Sequence, residues 1–578
     1  MSSPSVAADG GTRRAWLWPL LIALLAVVAS LSGVGNQYVQ DDIAVIWKNG
    51  EVHHLSGVGR LFTHSYWPPP FIPALYRPFA SVVFMAQWLA GGGSPIAFRV
   101  VSYALYGLTC VGFFRLARVR LPLVVAAVVA ALFAVHPVHV EAVAVAVNQS
   151  ELLVGLLACV MVVLYVRERS RGGPLPTRTQ LLLAGLYLTA CLMKENALIL
   201  PGLLIAAEVL LVPTDESIRD RLSFGRRPLL LLMLVAVVFY WVRTQVLGGS
   251  LAGTFVAEGL EGLTMSERAM AMLAVVPQWF RLLFWPAHLQ ADYSPAEIVA
   301  QTAWGPEHTL GALLLAASVF ATLLSWRRAP MVAFGLVWCA IALFPTSNVL
   351  VPTGIVVAER TLFLPSIGMM LAVGGIAALV VARATPRARL LLGAATGVLL
   401  ALGMFRSITR HPVWHDQFGL WYHTANEDAP RSFHAHEALA EAYFQIGVGR
   451  MSEQEYQLAI QFAPPRLSRP MMEYGDRLRQ SGFCYPAAQQ YRKVIALRPN
   501  HIAARTALIA CALDLGFYRE AAYQARMATA YDWQRLVFQR ALFTADSALR
   551  VGAPPGTVRL KVSPSDSLGS YVIVGKQK

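Results

Sequence analysis

The sequence predicts an all-α protein in two parts: a polytopic membrane bundle of about eleven transmembrane helices, then a water-soluble solenoid of short helix pairs. Three observations carry this. The 578 residues are 56% hydrophobic and only 14% charged, with mean hydropathy +0.51, whereas soluble domains hold about 25% charged residues. The shortage of charge is confined to residues 1–410; past His411-Pro412 charged residues return and the long apolar runs stop. From about Pro430 onward, landmarks recur every 34 residues, as from Pro430 to Pro464 and from Pro465 to Pro499.

Each element follows in order. Arg13-Arg14 and the apolar run Ala15–Ser30 read as an uncleaved signal anchor rather than a cleaved or twin-arginine signal, because the run is long enough to span and more spans follow. Apolar runs then lie at about 16–35, 75–92, 97–115, 120–136, 151–166, 179–194, 196–212, 228–247, 269–287, 308–326, 331–346, 361–382 and 388–405. The net charge of +15 does not indicate nucleic acid, since much of the arginine sits in short connectors between these runs. The connectors are Arg115/Arg118/Arg120, Arg167/Arg169/Arg171/Arg178, Arg219/Arg221/Arg226/Arg227, Arg327/Arg328 and Arg383/Arg387/Arg389. The positive-inside rule places all of them in the cytoplasm with Arg13-Arg14. Parity then requires 75–92 and 269–287 to be interfacial or re-entrant helices on the outer side. Eleven crossings remain, with the N-terminus inside and the C-terminal part outside an inner (plasma) membrane.

The same topology gathers polar residues on the outer face: Asp41-Asp42, His136-Pro-Val-His139-Val-Glu141, Lys194-Glu195-Asn196, Arg243, Asp292-Tyr293-Ser294 and Glu359-Arg360. A charge at bilayer depth costs about 2.5–3.5 kcal/mol on insertion scales, so such residues face a cavity or a partner. Any one of them reads as an ordinary helix-end residue; the set implies an outward polar pocket. Cys110, Cys159, Cys191 and Cys339 fall in apolar runs and read as packing residues, while Cys484 and Cys511 lie in the soluble part and have the option of pairing in an oxidising compartment.

In the C-terminal part, Gly482-Phe483 recurs as Gly516-Phe517 and Ala487-Ala488 as Ala521-Ala522. A 34-residue period with small residues at the helix crossing and proline at the repeat end is the signature of tetratricopeptide helix pairs. Residues 466–499 and 500–533 are clear repeats, and 432–465 is degenerate. The boundaries read as 1–410 for the membrane domain, 411–556 for the repeats and 557–578 for a tail, whose Val-Arg-Leu-Lys-Val and Tyr-Val-Ile-Val stretches suggest a strand or hairpin. Such solenoids present concave surfaces that bind extended peptide, so this part is expected to recognise rather than to catalyse.

An ordered series of outer-loop motifs resembles one family. It runs Gln40-Asp41-Asp42, Tyr76-Arg77-Pro78, His136-Pro137-Val138-His139-Val140-Glu141-Ala142-Val143 and Met193-Lys194-Glu195. It continues with Ala291-Asp292-Tyr293-Ser294, Phe344-Pro345-Thr346-Ser347-Asn348 and Ala358-Glu359-Arg360, then Leu364-Pro365-Ser366. The series is similar to that of the transmembrane and tetratricopeptide-repeat O-mannosyltransferases and their bacterial relatives, polytopic glycosyltransferases of the GT-C type. The resemblance covers essentially the whole chain. Two places depart from the family. Asn148-Gln149 stand before Ser150-Glu151 where the family has Gly-Arg, and Arg99, Ser102 and Tyr106 stand where the second membrane helix tends to carry two histidines and an asparagine.

The resemblance implies transfer of a sugar, mannose in the family, from a polyprenyl-phosphate donor to an extracytoplasmic acceptor such as protein Ser or Thr, with the repeats engaging the acceptor. That chemistry needs a carboxylate to take the acceptor proton and cations to stabilise the departing phosphate. Asp41 or Asp42 suits the base. Lys194, Arg243 and Arg360, at outer helix ends, are assigned to the phosphate. Arg77, His136, His139, Glu141, Glu195, Asp292, Tyr293 and Glu359 are expected to line the pocket. His136, His139 and Glu141 do not form a closed metal set, and an ion at Asp41-Asp42 is left open. Two other readings stand beside this one: a non-catalytic repeat scaffold for an envelope complex, and a lipid or substrate transporter. The charges gathered on one face argue against the scaffold, and the lack of internal duplication argues against the transporter.

Overall fold

The computed structural model of the chain describes residues 16–71, 74–213, 216–249, 256–532 and 536–559. Among them the regular structure is entirely helical, and the tail expected as a hairpin lies, from 560 on, outside the described residues. The chain divides into two compact units, Met1–Tyr293 with Ile298–His423, and Ser294–Glu297 with Thr424–Lys578. The division falls later than 410. The loop after the first helix reaches the segment after Arg410: Gln37 N–H donates to His415 C=O at 2.7 Å, and Gln40 N–H to Gln417 Oε1 at 2.9 Å. Trp414 and Leu420 are fully buried there.

Unit 1 contains α1 (Leu17–Ser30), α2 (Val58–Thr63), α3 (Pro78–Gly91), α4 (Pro95–Ala117), α5 (Leu123–Ala134), α6 (Val140–Ala144), α7 (Gln149–Arg169) and α8 (Thr177–Met193). It continues with α9 (Leu200–Leu210), α10 (Ile218–Val246), α11 (Met265–Phe284), α12 (Pro306–Ser325), α13 (Pro330–Leu343), α14 (Phe363–Arg383), α15 (Pro386–Arg410) and α16 (Gln417–His423). Proline opens α3, α4, α12, α13 and α15, where its missing N–H costs nothing and its fixed φ suits the first turn.

Six helices among the described residues are long and apolar enough to cross a membrane, or seven if α5 and its continuation, bent by 50° at His136-Pro137, count as one span. Of the eleven expected crossings, α1, α8, α9 and α13 are shorter than these. The chain is a membrane protein by this apolar surface. None of the apolar window of α15 is buried, and Leu390, Leu391, Val398 and Phe405 project outward as lipid solvent requires. The helices meet through small residues. A Cβ added to Gly335 of α13 would lie 2.4 Å from the Gly368 carbonyl of α14, so only glycine permits this crossing. α11 carries a capping box, Thr264 with Glu267, and buries one stripe (Ala271, Met272, Val275, Val276, Trp279, Leu282, Leu283) while most of its other residues are half-buried.

Unit 2 contains α17 (Phe433–Gln445), α18 (Gly449–Phe462), α19 (Arg469–Gln480), α20 (Cys484–Leu497), α21 (Ile502–Asp514), α22 (Tyr518–Tyr531) and α23 (Leu536–Val551). The turns α17–α18, α19–α20 and α21–α22 hold Gly447, Gly482 and Gly516 at φ of +80°, +88° and +76°, a conformation that favours glycine. The stretch whose repeat pattern is degenerate therefore makes the same hairpin as the clear ones. Ala487, Ala488, Ala521 and Ala522 are buried where helices cross.

Candidate active site at one end of the membrane unit

The site is assembled from helix ends. The loop after α1 turns at Gln40, held at φ +49°, and delivers Asp41 half-buried and Asp42 fully buried. Asp42 Oδ1 accepts from Val147 N–H at 2.8 Å and Oδ2 from Ala146 N–H at 3.0 Å, with Arg99 Nη2 3.5 Å away. Burial raises the Asp42 carboxyl to about 6, against the pull of Arg99 and the two N–H donors. Arg99, fully buried on α4, also donates to the carbonyls of Asn36, Gln37 and Ala144. It thus ties the acidic loop to the segment before α7. These donors suit an anion at Asp42 and make a poor cradle for a cation. Among the described residues no group of three or more His, Cys, Asp or Glu is placed to hold a metal ion.

The expected cations are all present, with partners the sequence did not reveal. Lys194 pairs with Glu151 on the first turn of α7, whose second oxygen accepts from Asn196 Nδ2 at 2.9 Å. Arg360 pairs with Glu141, which also accepts the Arg360 N–H at 2.8 Å. Neither cation pairs with the carboxylate beside it in sequence, Glu195 or Glu359, each of which points elsewhere. Glu195 takes Arg77 Nε at 2.8 Å and Tyr76 N–H at 3.1 Å. Glu359 accepts from Tyr293 Oη at 2.9 Å and Gln290 N–H at 2.6 Å. Arg77 lies over the Tyr66 ring, 5.1 Å from its centroid. Lys194 is within electrostatic reach of Arg77 and Arg360, and Arg360 of Asp41 and Glu151. One cluster thus holds Asp41, Arg77, Glu141, Glu151, Lys194, Glu195 and Arg360.

The remaining expected residues are placed less centrally. Arg243 is buried near the end of α10, donates to the Ala74 carbonyl at 3.2 Å and stacks on Tyr240. That joins it to the loop carrying Arg77. Asp292 is half-buried beside the buried Tyr293. His136 Nε2 is 3.0 Å from the Leu283 carbonyl, and His139 bridges Tyr106 Oη (2.9 Å) and Ser366 Oγ (2.8 Å). Both histidines therefore pack the bent α5 junction, and Glu141 is spent on Arg360 rather than on them.

Sequence reasoning missed Arg99, Glu151 and Arg410 as site residues. Each is an ionised side chain near the end of a mostly apolar helix, which insertion cost alone could have flagged. Arg410 is fully buried at the end of α15, within electrostatic reach of Glu359.

The opposite helix ends carry a separate charge network. Arg169, at the end of α7, contacts Glu208 Oε1 at 3.0 Å and Glu216 Oε2 at 2.6 Å, and Arg221 reaches Glu208 at 3.1 Å. Arg120 donates to the Leu211 carbonyl. Three arginine connectors therefore share one end of the unit, away from the α7 end that carries Glu151.

Compared with curated proteins, the chain is 24% identical over 362 residues to protein O-mannosyl-transferase TMTC3 of Mus musculus, covering 58% of this chain and 39% of that protein. It is 25% identical over 498 residues to protein O-mannosyl-transferase Tmtc1 of Drosophila melanogaster, covering 71% and 57%. To protein O-mannosyl-transferase Tmtc2 of Drosophila melanogaster it is 33% identical over 168 residues, covering 27% and 18%. The chain thus spans between 18% and 57% of the length of these relatives. No protein-family model matches it. The resemblance drawn from the loop motifs is borne out by these similarities.

Proposed function

We propose that the chain is a GT-C-type membrane glycosyltransferase that moves a hexose, mannose by analogy with its relatives, from a polyprenyl phosphate to a hydroxyl acceptor on the extracytoplasmic side. The observation that carries this reading is the single cluster of Asp41 with Arg77, Lys194 and Arg360 at helix ends of a membrane unit. The acceptor oxygen attacks C1 of the sugar and its proton passes to Asp41; the C1–O bond to phosphate breaks, and the leaving phosphate takes the charge. Asp41 is the base in this reading because both oxygens of Asp42 already accept backbone N–H groups, which makes Asp42 the residue that positions the loop. Lys194 and Arg360 face the phosphate, with Arg243 at its margin. Each cation already has a carboxylate or carbonyl partner, so the donor phosphate joins existing pairs rather than filling a gap.

In this proposal the eleven-crossing topology puts the cluster outside and the arginine connectors inside, which the gathering of Arg120, Arg169 and Arg221 at the opposite end supports. Unit 2 is read as a tetratricopeptide module that presents acceptor peptide. The test is incubation of purified protein with radiolabelled polyprenyl-phosphate mannose and Ser/Thr-bearing envelope acceptors. Transfer that disappears in Asp41→Asn supports the reading. Full transfer in that variant removes Asp41 from it, and lack of transfer by wild-type protein with any polyprenyl-phosphate sugar overturns it.

A further inference from the structure

Cys484 opens α20 and Cys511 lies on α21, the first helix of the next pair. Both belong to one core cluster, where Cys511 is fully buried and the half-exposed Cys484 packs against it. Cys484 Sγ is 3.8 Å from Asp514 Oδ2, one turn along α21 from Cys511, so both thiols lie on the packed seam between α20 and α21. The other four cysteines lie in the apolar helices of unit 1.

The two thiols differ in a way that matters chemically. Cys484 sits at a helix N-terminus, where backbone N–H groups favour a thiolate. Interaction with Cys511, helped by nearby Arg479, lowers the Cys484 thiol against burial and Asp514, whereas the same interaction and burial push Cys511 up. An accessible, more readily ionised thiol beside a buried one is the arrangement that disulfide exchange requires.

We propose that Cys484 and Cys511 are a redox pair that closes to a disulfide between α20 and α21 on meeting a disulfide-bearing oxidant. The Cys484 thiolate attacks one sulfur of the oxidant, forms a mixed disulfide and releases the first thiolate. Cys511 then gives up its proton and attacks Cys484 Sγ, forming the internal bond and releasing the second thiolate. Two electrons pass to the oxidant and two protons leave the pair. The bond clamps one helix pair to the next and so fixes their relative pitch, hence the shape of the surface an acceptor would meet. Its setting in the cell rests on the extracytoplasmic placement of unit 2; its chemistry does not.

The test uses the full chain. Cells expressing it are quenched with N-ethylmaleimide at lysis, and peptides are read by mass spectrometry. The expected result is a Cys484–Cys511 linked peptide in most of the protein, converted by dithiothreitol to two alkylated peptides and lost in Cys484→Ser and Cys511→Ser. The melting midpoint of wild type falls by several degrees on reduction, and that shift vanishes in both variants. Purified protein equilibrated with oxidised glutathione tests the chemistry alone: lack of a linked peptide at every ratio overturns the proposal. Free thiols in cells whose Cys484 reacts with an impermeant maleimide from outside also overturn it, while leaving the placement of unit 2 standing. Linkage by glutathione in vitro, with labelling in cells only after permeabilisation, supports the pair and refutes the placement.

Discussion

Arg360 and Glu141 offer a way to separate holding the fold from handling the donor. The Glu141 side chain is 2% exposed, and Arg360 supplies it with both a guanidinium and a backbone N–H. In Arg360→Gln the carboxylate keeps only the N–H. Breaking a buried ion pair on one side costs about 3–5 kcal/mol, because an uncompensated charge stays buried. The single variant should therefore melt much earlier, and lost activity in it proves little. Glu141→Gln together with Arg360→Gln removes the stranded charge, so most of that loss should return. If Arg360 also meets the donor phosphate, the double variant stays slow. Losing one charged hydrogen bond is worth about 1.5–3 kcal/mol, or roughly 10- to 150-fold in kcat/KM. The assay pairs thermal melting in detergent with transfer from polyprenyl-phosphate mannose at saturating acceptor. A double variant that regains stability and turnover together refutes the phosphate role and leaves Arg360 a structural partner of Glu141.

Other predictions follow from particular contacts. Asp41→Asn should cut turnover by roughly 100-fold or more with the melting midpoint unchanged, whereas Asp42→Asn should lower the midpoint by disturbing the Ala146 and Val147 hydrogen bonds. Because the Asp42 carboxyl is raised to about 6 from 3.8, folded protein binds its proton more tightly than unfolded protein. Its contribution to stability is present at low pH and declines by about 3 kcal/mol as pH rises through that window; melting across pH 4–6 should show a slope that Asp42→Asn removes. In unit 2, burial lowers His436, but its 2.6 Å bond to Glu455 and the Pro430 carbonyl prevail and raise it. That stability is present below about pH 6.5 and is lost as pH rises past the folded value, so the exchange protection of 432–462, corrected for the intrinsic base-catalysed rate, should fall from neutral to alkaline pH in wild type and stay level in His436→Gln. A topology reporter fused after Arg410 should be active only on the extracytoplasmic side, as should cysteine labelling at 92–96; a cytoplasmic result at either overturns the eleven-crossing reading.

The sequence alone determined that this chain is an all-helical membrane protein with a distinct polar C-terminal part, because hydropathy and helix period are local properties that survive without knowledge of contacts. It also marked the charges at helix ends, since ionised residues beside apolar runs are too costly to be incidental. The 34-residue spacing located the helix pairs around Gly482 and Gly516, and the repeat read as degenerate makes the same turn at Gly447, 35 residues before Gly482 and followed by Val448 rather than Phe. Span lengths were less legible: α9 is 11 residues and α13 is 14, shorter than their apolar runs, because polar and proline-bearing ends wind into single tight turns. Partner choice belonged to the tertiary structure. Lys194 with Glu151, Arg360 with Glu141, Arg77 with Glu195 and Asp42 with Arg99 are separated by 43, 219, 118 and 57 positions, as the residue numbers give. Nothing in a linear pattern couples residues so far apart; only the packing of α4, α7, α8 and α14 brings their ends together, and there the cost of burying a lone charge forces each to find its counter-ion.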